Sequence, residues 1–431
     1  MKILLVLAHS KIKGYLLYQL TSSILQPSLT LAQLAAITPE KHRIELVDGR
    51  YQNINYNWDG DIVGISSLTY AVNNAYEIAD EFRKRGKTVV IGGYHASALP
   101  DEAKKHADSV VIGEAENSWP QLLEDFEKGE IKSFYHSNPA DPKNIPPAKR
   151  ILQKNISIVS RIQATRGCPN RCEFCCIGNV ETHKFRKRPI ENVIHEIKSL
   201  KTQSFSFDDS SLTIDLEYTK DLFIELKKIN KKFTCYGNIN ILNDNQELIK
   251  LSKEAGCMTW SIGLESVNQE SLNNAMKTNK VEIFEKAIKK IRKHGIMVKG
   301  LFIFGFDQDK LDVFHNTIKA IKKWEIDLAY FSILTPFPGS ALFKRYEKEG
   351  RILTRDWDKY TCGYVVYKPE RLTDKQLFQK TKELTDKFYT LPKNLKRSFD
   401  FNNLSFSRFA SKFLYNNIDK TYIKMRMKQE K

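Results

Sequence analysis

Ile156-Ser-Ile-Val-Ser-Arg-Ile-Gln-Ala-Thr165-Arg-Gly-Cys168-Pro-Asn-Arg-Cys172-Glu-Phe-Cys175-Cys176 decides how this chain reads. Its first half, Ile156–Thr165, has the apolar pattern of a strand, and the strand runs directly into three cysteines spaced C-x3-C-x2-C. Three thiolates on one short loop can hold three metals of a cubane iron–sulfur cluster, whereas a complete protein-ligated cluster takes four. The fourth iron then stays open to a small chelating ligand. Gly167 and Pro169 suit a tight turn around the first cysteine. Structural zinc is the competing reading, with Cys176 or His183 as fourth ligand. Zinc sites usually show C-x2-C twice, or once with H-x3-5-H. Here C-x2-C occurs once, and Cys176 directly follows Cys175.

Downstream of the loop, strand and helix patterns alternate. Strand-like runs at Ser204–Phe207, Phe233–Tyr236, Met258–Leu264, Met297–Phe304 and Leu328–Leu334 are separated by helical patterns. The helices are expected at Glu191–Lys201, Leu216–Ile229, Gln246–Ala255, Val281–His294 and Leu311–Trp324. With the first strand this makes six units, as in a partial β/α barrel, whose chemistry sits beyond the carboxyl ends of the strands. Upstream, Ile3–Leu7, Ile44–Val47, Ile62–Ile65, Val89–Ile91 and Val110–Ile112 alternate with amphipathic segments such as Ala71–Arg85 and Asn117–Lys128. That rhythm predicts an α/β, doubly wound parallel sheet with helices on both faces. Between the two series, Asn138–Lys149 carries four prolines and reads as a linker. The expected domains are therefore 1–145, a barrel over 150–345, and a small, mainly helical C-terminal region over 346–431.

Composition narrows the class. With 431 residues, 41% hydrophobic and 28% charged, the chain reads as a globular protein of two or three domains. Lys and Arg number 68 against 51 Asp and Glu, a formal charge of +17 that suits an anionic partner. Part of that excess lies in Lys393–Lys431, where basic residues interleave with Phe399, Phe401, Phe406, Phe409, Phe413, Tyr415 and Tyr422. This tail reads either as a helix with a solvated basic face or as a surface for anionic lipid or an anionic substrate. No apolar run approaches the ~20 residues of a spanning helix. Four of the seven cysteines crowd into the motif, which suits metal ligation in a reducing, cytoplasmic compartment rather than a disulfide framework.

The cysteine loop at the first strand of such a barrel resembles the radical S-adenosylmethionine (radical SAM) superfamily. The preceding doubly wound domain resembles its cobalamin-binding subclass, which includes hopanoid and other carbon methylases and the anaerobic magnesium-protoporphyrin ester cyclase. Val90-Ile-Gly-Gly-Tyr-His95, Ile112-Gly-Glu-Ala-Glu116, Phe207-Asp-Asp209, Ser261-Ile-Gly-Leu-Glu-Ser266, Phe302-Ile-Phe-Gly-Phe306 and Thr335-Pro-Phe-Pro-Gly-Ser340 carry the resemblance. It implies that Cys168, Cys172 and Cys175 bind a [4Fe–4S] cluster whose open iron chelates SAM. It places Phe174 near the adenine, Asp208 and Asp209 at the SAM amino group, Glu265 and Ser266 at the ribose, and Gly305 at the adenine floor. The local alternatives are a cap for the helix from Leu216 or a turn for Asp208-Asp209, and a helix N-terminal acid for Glu265. For cobalamin the matching loop positions are Ser66, Ser67, Leu68, Gly92, Gly93, His95, Gly113 and Glu114. The usual D-x-H-x-x-G element is absent, since the position reads Ala8-His9-Ser10-Lys11-Ile12-Lys13-Gly14. His9 is the one candidate there for an axial ligand.

The implied activity is reductive cleavage of SAM to a 5′-deoxyadenosyl radical coupled to cobalamin-dependent methylation of an unactivated carbon. A cyclase, rearrangement or carbon–carbon coupling outcome uses the same cofactors. An RNA-directed methylthiotransferase is the alternative from another class, but that family has a second cysteine triad in its N-terminal domain. This chain has no cysteine before Cys168. The expected partners are a small-molecule or lipid substrate, an electron donor such as flavodoxin or ferredoxin, and an anionic membrane surface met by the tail. Nucleic acid is not expected, and the location implied is cytoplasmic or peripheral to a membrane.

Overall fold

A computed structural model describes residues 1–12, 27–136, 138–152 and 158–390. Near-continuous runs of buried aliphatics, such as Ile3 to Val6, can be satisfied only by a strand covered on both faces. They build a first sheet from β1 (Lys2–Leu7), β2 (Arg43–Asp48), β3 (Ile62–Ser66), β4 (Thr88–Gly92), β5 (Ser109–Ile112) and β6 (Phe134–His136). The order is β2-β1-β3-β4-β5-β6 with every pair parallel. The order reverses between β1 and β3, the switch point where an open α/β sheet leaves a crevice beyond its strand ends. Five of these strands match the expected runs. The sixth, β6, is three residues long and has no apolar pattern of its own.

The second sheet contains β7 (Val159–Ile162), then β10 (Ser204–Phe207), β11 (Lys232–Gly237), β12 (Cys257–Glu265), β13 (Met297–Phe304) and β14 (Leu328–Ile333). These six run parallel in the order β14-β13-β12-β11-β10-β7, and among the described residues β7 and β14 do not pair, so the barrel is partial. Its helices follow the 3.6-residue period. In Phe284–Lys293, for example, Phe284, Ala287, Ile288 and Ile291 form the buried stripe.

One expected element is divided. The strand proposed for Ile156–Thr165 leaves the sheet after Ile162, and Thr165–Arg166 (β8) instead pairs antiparallel with Arg186–Lys187 (β9). The break arises because the amides of Ala164 and Thr165 donate to the Asp209 side chain rather than to a neighbouring strand. Ile156 and Ser157 lie outside the described residues.

The proline-rich linker is docked along the surface. Ala140 and Ile145 are buried, Gln33 Nε2 donates to the Pro146 carbonyl at 3.1 Å, and the Lys149 amide donates to Ala32 at 2.9 Å. Beyond β14, the helices Ala341–Lys348 and Asp374–Phe388 belong to a region that packs on both sheets. Phe343, Trp357, Tyr360 and Val366 join the core of the first sheet, while Tyr367, Leu377, Leu384 and Tyr389 join that of the second. The basic aromatic tail from Lys393 onward lies outside the described residues. Among those described, no helix is long and apolar enough to cross a membrane.

Candidate functional site

The carboxyl ends of the two sheets face each other across a cavity of about 650 Å³. From the first sheet its wall holds Ser66, Ser67, Leu68, Gly92, Gly93, Gly113 and Glu114. From the second it holds Arg161, Asp208, Asp209 and Tyr236. Gly93 has φ +105°, and a Cβ there would stand 2.6 Å from the Ser67 carbonyl oxygen, so only glycine lets these loops approach. The Ser67 hydroxyl is buried on this wall and has no hydrogen-bond partner among the described residues. A close-packed glycine loop with an unsatisfied hydroxyl is a cradle suited to a large flat polar ligand, and the residues present therefore fit cobalamin.

Two histidines do not stand on this wall. His95, expected among the cobalamin positions, is fully buried away from the cavity: its Nε2 lies 3.1 Å from Glu102 Oε1, which also accepts from Tyr76 and Trp357. Packing is the cause: the His95 ring lies against Tyr76 of the helix Val72–Lys84 and against Trp357 of the region beyond β14. His9 is likewise off the wall. Its amide donates to Asn74 Oδ1 at 3.4 Å, and its ring lies against Gly49. Tyr94, which the sequence reading passed over, does line the cavity, and its hydroxyl donates to Glu181 at 3.3 Å.

The cysteine loop is the tip of the β8–β9 ribbon. Cys168, Cys172 and Cys175 are half-buried, and burial pushes the thiols of Cys172 and Cys175 up, the latter to about 12. Such thiols give up their protons readily only to a bound cation. A cubane meets each thiolate at a different corner, and the donor set of three thiols on one loop fits it. His183, the possible zinc ligand, has its Nδ1 3.2 Å from the Cys168 carbonyl oxygen. Cys176 is likewise half-buried, and burial pushes its thiol up to about 11.

The remaining expected SAM residues divide by location. Phe174 meets Phe306, next to Gly305, with ring centroids 6.1 Å apart. Gly305 has φ +102°, and its amide and that of Phe306 donate to Asp309 at 2.9 and 3.1 Å, an acid that no motif singled out. Glu265 has φ +63° and pairs with Lys277 at 2.9 Å. Lys277 is also missed by motif reading. Burial opposes its charge, but Glu265 and Cys172 hold the ammonium pKa above its usual value. Ser266 is buried and its Oγ accepts from the Asn268 amide at 3.1 Å. Asp208 pairs with Arg161 at 2.6 Å, although burial dominates and raises its carboxyl. Asp209 accepts from the Ala164 amide at 3.1 Å and the Thr165 hydroxyl at 2.6 Å, and also from the Thr165 amide. It clamps the strand that leads to the cysteines, a local role that spacing does not reveal.

Residues 162–321 match the radical SAM superfamily, and residues 52–123 match the B12 binding domain. The chain is 35% identical to the bacteriochlorophyllide d C-8(2)-methyltransferase of Chlorobaculum tepidum, over 80% of this chain and 81% of that protein. It is 32% identical to the C-12(1)-methyltransferase of the same organism, over 84% and 82% respectively. Among solved structures it superposes on the cobalamin-dependent SAM radical enzyme OxsB with a TM-score of 0.71 at 14% identity, covering 97% of this chain and 71% of that one.

Proposed function

The chain belongs to the cobalamin-binding radical SAM family, and on that premise we propose that it methylates an unactivated carbon of a small amphiphilic ring compound, with tetrapyrroles as the first candidates. It is a radical SAM methyltransferase that uses a [4Fe–4S] cluster, SAM and cobalamin. The observation that carries the reading is a single cavity shared by the glycine cradle and the strand ends beside the cysteine loop. Relatives matched over four-fifths of their length methylate bacteriochlorophyllide d, which suggests the substrate class.

Cys168, Cys172 and Cys175 would hold the cluster and leave one iron for SAM. When bound, the three cofactors supply a transferable methyl group and the radical that activates the acceptor carbon. The chain's own residues do the rest. Phe174 and Phe306 offer aromatic faces to the adenine, beside the Gly305 turn that Asp309 holds. Gly93 and the Ser67 hydroxyl would seat the cobalamin. Leu68 and Tyr236, 43% and 40% exposed although large, turn apolar surface toward the cavity. Such surface excludes water and suits a flat apolar acceptor. Electrons would come from a flavodoxin or ferredoxin in the cytoplasm, and the tail from Lys393 would meet an anionic membrane surface. Flotation with anionic vesicles, with and without the tail, tests the last point.

Anaerobically reconstituted protein, given SAM labelled in its methyl group, cobalamin, a strong reductant and a tetrapyrrole panel, should release 5′-deoxyadenosine and carry label into product. Product formed without label would favour the ring-closing alternative, and no 5′-deoxyadenosine would end the enzymatic reading.

A further inference from the structure

Arg166 of β8 stands directly opposite Arg186 of β9 at the neck of the cysteine loop. Like charges facing each other across an antiparallel pair repel, and these side chains are only 10% and 9% exposed. The compensating charge comes from the first sheet. Glu114, which follows β5 and is 2% exposed in its side chain, accepts from Arg186 Nη1 at 2.9 Å through Oε2 and from Arg186 Nη2 through Oε1. The same Oε2 lies 3.4 Å from Arg166 Nη1. Arg166 has a second carboxylate, Glu116, at 2.5 Å. Among the described residues Arg186 has ion-pair contact with Glu114 alone, and its other bonds go to the carbonyls of Ala140 and Glu181 at 2.8 and 2.9 Å. Glu181, on the far side of the loop, accepts from the Gly167 amide at 3.0 Å and from Tyr94, next to the cradle glycines.

We infer that Glu114 is a positioning residue for the cysteine loop: it closes the loop's neck from the cobalamin domain, so that the geometry of the cluster site depends on that domain being docked. The inference rests on the proposed function, because it concerns the cluster and cobalamin assigned there. It gives Glu114 a different role from the one the family resemblance implied. As a cobalamin contact, Glu114 would govern cobalamin affinity. As the anion between two facing guanidiniums, it governs the cysteine loop. Glu114 Oε2 also accepts from the Ala140 amide at 2.8 Å, a bond that a glutamine oxygen keeps, so the removal of one guanidinium should make the charge of Glu114 dispensable.

Full-length protein carrying E114Q, R186Q, or both would be reconstituted anaerobically beside the wild type. Iron and sulfide per chain, the electron paramagnetic resonance spectrum of the reduced cluster with and without SAM, and hydroxocobalamin binding would be measured. E114Q is expected to lose at least about half of its cluster or to change the SAM-dependent spectrum. The double variant is expected to match R186Q and to recover most of what E114Q loses, because coupled residues are non-additive. If E114Q does not fold, the near-equality of R186Q and the double variant carries the same test. A fall of about tenfold in hydroxocobalamin affinity with a normal cluster would overturn the inference, as would additive damage in the double variant. A wild type that accepts no cluster would overturn the proposed function as well, whereas a normal E114Q beside an intact wild type would overturn this inference alone.

Discussion

Replacing Asp209 by Ala, and separately by Asn, asks whether the end of β10 serves the polypeptide or the cosubstrate. Alanine would strip the acceptor from three buried donors: the Ala164 amide (3.1 Å), the Thr165 amide and the Thr165 hydroxyl (2.6 Å). At about 1–3 kcal/mol for each orphaned donor, the loss is about 3–6 kcal/mol after partial relaxation. That is a large part of the roughly 5–15 kcal/mol by which a domain is stable. Asparagine keeps one oxygen and should lose about half as much. Burial also pushes the Asp209 carboxyl up to about 7, despite the opposing hydrogen bonds from Thr165 and Ala164. The native chain therefore keeps a proton that the unfolded chain releases near its ordinary value of about 4. The group's stabilising contribution is complete below about pH 4 and is lost as pH rises through about 7, at up to about 1.4 kcal/mol per pH unit. Urea unfolding of the apo-protein, followed by circular dichroism from pH 5 to 8, measures both effects. The wild-type midpoint should fall with pH more steeply than that of D209N. D209A should unfold well below both at pH 5 and take up little iron. A D209A protein with the wild-type midpoint and a raised requirement for SAM would refute the clamp and make Asp209 a cosubstrate contact.

Three further substitutions probe separate parts of the site. G93A forces a side chain into φ +105° and within 2.6 Å of the Ser67 carbonyl, a strain of about 1–3 kcal/mol. Hydroxocobalamin affinity should fall at least about tenfold with iron content unchanged, and equal affinity would show that the cradle lies elsewhere. K277Q removes the cation paired with Glu265 beside Cys172, so the cluster's midpoint potential should become more negative. A redox titration showing no shift would remove Lys277 from the cluster's electrostatics. E102Q weakens an acceptor shared by Tyr76 at 3.0 Å, His95 at 3.1 Å and Trp357 at 2.9 Å. A loss of about 1–3 kcal/mol is expected, seen as faster proteolysis within residues 341–390, and unchanged cleavage would count against that hub.

Elements long enough to show a period were legible in advance. The aliphatic runs of β1, β3 and β13 and the stripe of Phe284–Lys293 each carry their burial pattern within a few residues, so the parallel sheets and the partial barrel could be read directly. The same holds for the cysteines, whose ligand spacing is a property of one loop. Elements that depend on partners were not legible. Three-residue β6 exists because β5 offers an edge, and β7 stops where a distant carboxylate takes the amides of Ala164 and Thr165 that follow it. His95 matches a cobalamin position in the sequence, but it lies in the short helix Tyr94–Ala98 and the packing of Trp357 and Glu102 turns it inward.

By itself, then, the amino-acid order determined the two β/α series, the trio of thiols and the family they resemble, because these features are local and the chain's periodicity records them. Tertiary structure alone decided which charges meet. Arg186 and Glu114 are 72 positions apart, and Arg166 and Glu116 are 50 apart. Nothing in either neighbourhood marks them as partners. A buried charge needs a counter-charge wherever the fold supplies one, and that choice is made by the docking of two sheets rather than by spacing along the chain.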